Sequence, residues 1–514
     1  MRILLAGLIM ASLGQTLPAA VVPSHLFADN AVLQRDKPIP VWGTADAGEK
    51  VSVTFGGHTV TTTATATGDW RVDLPALPAN ATPGTLVITG TNTITRNNVV
   101  VGEVWVASGQ SNMEMRVAES FDGALDIPNS ARFPLIRHFQ VDYQVSQTPK
   151  TTGSGAWKVA GPETTGAFTA IGYYFALDLH LALDVPVGII NTTRGGSTIR
   201  AWMDPDTLET DRTIEATAKH WAKVSAEEKA KYPELRAKLD AEIAAWDAAK
   251  AAGKPVTTQR PQESWAGLTG GPNDQFFTSV LYNGMMRPLE PCALRGVIWY
   301  QGEGNVGNHV EYAKLFPAMI TGWRRRFAQG DFPFYWVQLA DHGSPTGTAM
   351  AFMREAQSKA LALPATGQAV AIDMGDSPNI HPGRKHALGR RLARIALANT
   401  YGRKIIDRGP VFKQAEREGA GYRVSFTPVD QSHGYHPLRS VSPTLQGFEL
   451  AGADRVFKPA VAQFNKECTT VLVTSPEVPE PVALRYAWRD SPLVGLINQQ
   501  GLPAAPFRTD DWER

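Results

Sequence analysis

The chain has 514 residues, with Lys+Arg 50 against Asp+Glu 49 and a formal charge of +1. That length is too great for one ordinary core, so two to four domains are expected. The balanced charge offers no footprint for nucleic acid or a polyanionic surface.

Met1 to Ala20 places Arg2 before a short apolar run, LLAGLIMASLG, and ends in Ala19-Ala20. This has the form of a secretory signal peptide, and the run is too short to span a bilayer. With no later apolar run of membrane-spanning length, the expectation is an exported protein, periplasmic or extracellular, with no membrane contact after signal removal.

Residues 21 to 100 read as all-β. Short alternating runs at Ile39–Gly43, Lys50–Phe55 and Trp70–Leu74 are separated by turn residues, which predicts a small sandwich. Residues 101 to 403 alternate strands with helices, the pattern of a parallel sheet flanked by helices. Expected strands are Val101–Ser108, Val185–Asn191, Gly296–Trp299, Phe334–Leu339 and Gln368–Ile372. Expected helices are Gly172–Leu183, Glu311–Phe327 and Arg384–Asn399.

Within this region, residues 204 to 271 form an insertion. Asp204 to Lys254 is rich in Ala, Lys and Glu, with Leu235, Leu239, Ile243 and Trp246 on one helical face; a break is expected near Tyr232-Pro233. Residues 253 to 271 read as loop. Residues 404 to 514 return to short strands at Tyr422–Phe426, Thr470–Thr474 and Val482–Trp488. They form a second β-domain whose Pro-rich tail, Gly501 to Thr509, is expected to wrap back onto the body. Most of the 13 Trp and 12 Tyr are assigned to cores rather than to sugar-stacking surfaces. Cys292 and Cys468 fall in different expected domains and are read as unpaired. No CxxC, HExxH or EF-hand spacing marks a metal site.

The chain is organised around Val101 to Met115, VGEVWVASGQSNMEM. An apolar strand is broken by Gly109, and Ser111 follows two residues later. A serine in a turn just past a strand is held at the carboxyl edge of the sheet, where open α/β sheets keep their ligands. If a helix begins near Asn112, its backbone N–H groups also face a developing oxyanion. Alone, GxS is more often an ordinary strand end with a polar turn.

Two later segments supply what such a serine needs. One is Gly296 to Asn305, GVIWYQGEGN. The other is Asp373 to Lys385, DMGDSPNIHPGRK. His381 lies between a strand and a helix, at the edge where a base must sit to take a serine proton. His433 and His436, in the last β-domain, are less suitable.

With GQSNM, the GVIWYQGEGN segment and the IHP word together, the sequence resembles the sialate O-acetylesterase family of SGNH-type hydrolases, from about Leu26 to the C-terminus. The resemblance implies an SGNH-like α/β sheet with accessory β-domains at both ends. It implies Ser111 as nucleophile, His381 as base, and Gln301 as a side-chain donor to the oxyanion. The Ser111 N–H and Gly195 or Gly196, with Gly196 favoured, would be the backbone donors. The segment IINTTRGGSTIRAWM departs from the family: Arg194 stands where an aromatic is common, and Arg200 where an acidic residue is common. Two cations there would favour an anionic sugar, unless both pair with local carboxylates. Glu303 is expected to position its loop or contact sugar hydroxyls.

The third triad member is unsettled by sequence. Pro378 occupies the position where many SGNH hydrolases place Asp, and Asn379 a position where relatives often carry it. Asp376 is the choice for orienting His381, with a Ser–His dyad as the alternative, and Asp373 is assigned to the loop.

The expected function is a secreted serine esterase, working without cofactor or metal through an acetyl-serine, that removes O-acetyl groups from carbohydrates. The alternatives are a plant polysaccharide acetylesterase acting on xylan or xyloglucan, and a non-catalytic carbohydrate-binding protein.

Overall fold

The seventeen-residue strand Thr93–Gly109 belongs to two sheets at once. Its first part, TITRNN, alternates between exposed and half-buried residues; the remainder, VVVGEVWVASG, is buried throughout. Alternation suits a strand with one wet face, and a continuous apolar run suits a sheet covered on both faces. In the computed structural model the first part pairs antiparallel with Asn80–Thr89. The second lies between Val187–Asn191 and Gly296–Tyr300, parallel to both. The expected junction at residue 100 therefore falls inside one continuous strand. The structure describes residues 20–256, 259–262, 268, 270–427 and 437–513. The expected signal peptide up to residue 19, much of the loop at 257–269, and His433 and His436 lie outside the described residues.

The central sheet runs Ile136–Val141, Val187–Asn191, Thr93–Gly109, Gly296–Tyr300, Phe334–Gln338, Thr366–Val370, all parallel, with Gly155–Val159 antiparallel at one edge. Helices Ala170–Leu183 and Lys385–Asn399 pack as one pair, with Gly389 against Tyr174 and Phe175; His309–Phe327 and Ala349–Ser358 form another. Every expected strand and helix of this region is present. Two strands, Ile136–Val141 and Gly155–Val159, and the helices Gly123–Asn129 and Ala349–Ser358 were not anticipated. The last strand begins two residues earlier than expected, at Thr366. Trp105, Trp202, Trp299, Trp323, Trp336 and Trp488 are fully buried, in keeping with a core role.

The N-terminal strands form a three-stranded sheet and a hairpin array that merges with Thr93–Gly109. The joint is fastened by Glu103, whose buried carboxylate takes Arg35 at 2.5 Å and Arg295 at 2.7 Å. A buried carboxylate needs such partners to offset its desolvation. The insertion folds as helices Pro205–Thr210 and Glu215–Ala251. The expected break at Pro233 does not occur. Proline's fixed φ is helical, and the carbonyl that loses its partner belongs to exposed Lys229. Of the apolar stripe, Leu239 is buried and Leu235, Ile243 and Trp246 are half-buried.

The described C-terminal residues form two four-stranded sheets and a two-stranded one, Leu438–Ser440 with Leu496–Asn498. The tail returns as expected: Phe507 stacks on Phe412 at 4.3 Å, and Arg508 pairs with Glu355 of the central region at 2.8 Å. Cys292 and Cys468 are both free thiols. Among the described residues no helix is long and apolar enough to cross a membrane.

Candidate active site

Ser111, Gly196, Gln301 and His381 all follow the carboxyl ends of parallel strands, and the Ser111 strand lies between those that lead to Gly196 and Gln301. The turn into Ser111 demands glycine. Gly109 has φ 129°, and a Cβ there would lie 2.2 Å from the Tyr300 carbonyl oxygen. No side chain fits that approach of two strands. Ser111 then opens the short helix Ser111–Glu114.

Ser111 Oγ lies 2.8 Å from His381 Nε2. Burial, and then the nearby Lys385 ammonium, hold the His381 imidazole below its ordinary range; Glu119 opposes them, and His342 adds to the lowering. The cavity over this pair, about 360 Å³, is lined by Ser111, Glu114, Met115, Arg116, Glu119 and His381.

Asp376 does not meet His381. Backbone pairing of Asp376 with Asn379 closes a tight turn that leaves the Asp376 carboxylate exposed. Among the described residues no carboxylate hydrogen-bonds to the His381 ring. Asn379 accepts instead from the His381 backbone N–H at 2.9 Å. Asp373, as expected, serves the loop: Arg391 holds it at 2.6 Å.

Gln301 also differs from its expected role. It is fully buried, and its amide nitrogen donates to the Ser197 carbonyl at 3.2 Å and to Asn305 Oδ1 at 2.8 Å. Both N–H groups are thus committed, one to the loop that carries Gly196 and one to the turn that follows Gln301 itself, because an amide donates only twice. Gly195 backs onto Ser111, a Cβ there lying 3.6 Å from Ser111 Cβ, and its N–H donates to Glu114 at 2.5 Å. Gly196 follows with φ 71°. Among the described residues, neither its N–H nor that of Ser111 donates to a protein acceptor.

The two arginines part company. Arg200 pairs with Glu228 at 3.2 Å and bonds Ser225 and Thr278, so it fastens the long helix Glu215–Ala251 to the body. Its distance in sequence from Glu228 hid that partner. Arg194 has no carboxylate partner among the described residues; it bonds the neutral Gln275 and lies 3.8 Å over the Tyr143 ring. Glu303 does not line the cavity; its Oε1 accepts from Asn112 Nδ2 at 2.5 Å. Its second carboxylate oxygen is buried. Burial raises its pKa.

Asn112, Glu114, Arg116, Glu119 and Lys385 went unassigned in the sequence reading. Asn112 and Glu114 sit inside the GQSNMEM word, and Lys385 closes the IHPGRK word, so their closeness to the expected serine and histidine was the available signal.

Comparison with known proteins identifies the family. Residues 257–398 match the family model described as carbohydrate esterase, sialic acid-specific acetylesterase. Sialate O-acetylesterase of Rattus norvegicus is 29% identical over 527 residues, covering 94% of this chain and 93% of that protein. The Homo sapiens enzyme of the same name is 27% identical, covering 93% and 90%. Among solved structures, a carbohydrate acetylesterase from Xanthomonas citri is 36% identical with a TM-score of 0.79, covering 96% of this chain and all of that one, 100%. Identity of that order along the whole length places this chain in the sialate O-acetylesterase family of carbohydrate acetylesterases, and it is a carboxylic ester hydrolase.

Proposed function

We propose that this carbohydrate acetylesterase works through an acetyl-serine on Ser111, with His381 as general base and then general acid. The observation that carries the reading is the 2.8 Å contact between two side chains 270 residues apart in sequence. A serine hydroxyl becomes a competent nucleophile when a base within hydrogen-bond reach takes its proton. Ser111 Oγ attacks the acetyl carbonyl while His381 Nε2 accepts the proton. The N–H groups of Ser111 and Gly196 receive the oxyanion, each donor of this kind contributing roughly 3–4 kcal/mol. His381 then protonates the departing sugar oxygen, and water attacks the acetyl-enzyme by the reverse sequence. Gln301 acts at one remove, by holding the Ser197 carbonyl and so the turn that presents Gly196. The parallel strand order, with every one of these residues at a carboxyl end, supports the SGNH-type reading.

The substrate side of the reading rests on charge. Arg116 lines the cavity over Ser111, together with the carboxylates of Glu114 and Glu119, and Arg194 directly precedes the Gly195 that backs onto Ser111; neither arginine has a carboxylate partner among the described residues. Two such cations suit a sugar that carries its own carboxylate, such as an O-acetylated sialic acid, better than neutral xylan. The N-terminal Arg2 and apolar run support export, which N-terminal sequencing of the mature protein tests. The functional test is acetate release from O-acetylated sialic acid, acetylated xylan and acetylated xyloglucan under one set of conditions. Preference for the sialic ester supports the anionic-sugar reading, and preference for either polysaccharide overturns it. Turnover of no ester at all overturns the serine mechanism.

A further inference from the structure

Among the described residues no carboxylate orients the His381 ring, yet its loop is held by another route. Asn112, the residue after the nucleophile, is buried, with 1% exposure. Its Nδ2 donates to the backbone carbonyl of Ile380, the residue before the base, at 2.9 Å. The same nitrogen donates to Glu303 Oε1 at 2.5 Å, and Oδ1 accepts from Lys385 Nζ at 2.5 Å. Every polar atom of this amide is therefore engaged, and its orientation is fixed from both ends: flipping it would set Oδ1 against two acceptors and Nδ2 against a donor.

The flanking groups are costly to hold. Lys385 is fully buried, its ammonium finding Asn112 and the face of Tyr300 at 5.4 Å. Burial drives its pKa down to about 7 against the pull of Glu303, and burial drives that of Glu303 up. An amine and a carboxyl kept in the interior without direct contact are a liability to folding. A pair that only filled space would be replaced by apolar side chains at lower cost.

We propose that Asn112 is a positioning residue that replaces the missing triad carboxylate, locking the His381 loop to the Ser111 turn through the Ile380 carbonyl, with Glu303 and Lys385 fixing its amide. Lys385 has a second effect, since its charge reaches the His381 ring along with those of Glu119 and His342. The inference rests on the serine-esterase reading above.

The test uses the full chain and 4-nitrophenyl acetate, with kcat, KM, the pH profile and a thermal melt for each variant. Asn112→Asp is the same shape and still accepts from Lys385, but it loses both donations. Asn112→Ala loses all three bonds. Each is expected to lower kcat by about 100-fold with KM changed less than about threefold, the cost of a displaced catalytic group. Lys385→Met is expected to lower kcat and to move the acid limb of kcat/KM up by roughly half a pH unit, because removing a cation raises the His381 pKa. A cooperatively melting Asn112→Asp that keeps kcat within about threefold of wild type would show that Asn112 only packs, and would overturn the proposal. If the Asn112 variants do not fold, Lys385→Met decides, and an unchanged kcat and acid limb overturn it. Inactive wild-type protein is a different result: it removes the esterase reading and not this one alone.

Discussion

Two cavities in this molecule make opposite cases. The one over Ser111 and His381 measures about 360 Å³; the one between the C-terminal sheets, bordered by Leu445, Phe448, Phe464, Trp488 and Leu493, measures about 850 Å³. The larger is mainly apolar and holds no serine–histidine pair, while the smaller gathers a hydroxyl, an imidazole, two carboxylates and a guanidinium in its wall. Volume reports how sheets fit together. Chemistry requires groups of matched character within reach of one reacting atom. The small cavity lies at the carboxyl edge of a parallel sheet, where successive strands deliver their following loops to one place. The antiparallel C-terminal sheets have no such common edge.

That contrast can be broken or sharpened by substitution. The largest effect is expected at the nucleophile: Ser111→Ala should lower kcat on 4-nitrophenyl acetate by about 10⁴- to 10⁶-fold with an unchanged thermal melt. Next, Arg194→Ala should raise KM for an acetylated sialic acid by about tenfold and leave kcat on 4-nitrophenyl acetate near wild type, as loss of one charged contact requires. Arg200→Ala should leave both KM values alone and instead lower the melting temperature, losing about 1–3 kcal/mol with its Glu228 and Thr278 bonds. The pH profile gives a smaller but clear sign. His381 must be neutral to act as base, and its pKa lies below the ordinary imidazole range. Activity should therefore fall on acidification only below pH ~6.5, the usual histidine midpoint, and a limb above that value would contradict the burial of this ring. The smallest effect belongs to the large cavity: Leu493→Asp, at an exposed position on its border, should change kcat/KM less than about twofold and stability by no more than about 0.5 kcal/mol.

Sequence and structure diverge in an orderly way. The strands and helices around the site were legible because their apolar periods are long and uninterrupted, as in Val101–Ser108 and Glu311–Phe327. Gly155–Val159 was not, since an edge strand with one wet face has too little apolar signal. The serine and the histidine were found because their flanking words are distinctive, and the fold then set them 2.8 Å apart. Asp376 and Gln301 were placed in the right neighbourhood and given another task, while Arg200 and Glu303 each took one of the two roles left open for them, a carboxylate pair and a loop contact. In each case the decisive partner was out of sight: a turn that faces outward, the Ser197 carbonyl, Glu228 on an inserted helix, the amide of Asn112. Chain position limits which edge of the sheet a side chain reaches. Its direction there depends on hydrogen bonds made across tens or hundreds of residues.

The measurement that tests the account most directly is a rapid acid quench of the enzyme with 4-nitrophenyl acetate, followed by mass spectrometry of the peptide that carries Ser111. The account predicts one acetyl group on Ser111 during turnover, absent when Ser111 is alanine. Turnover with no acetyl-serine at any quench time, or turnover that survives Ser111→Ala, would contradict it.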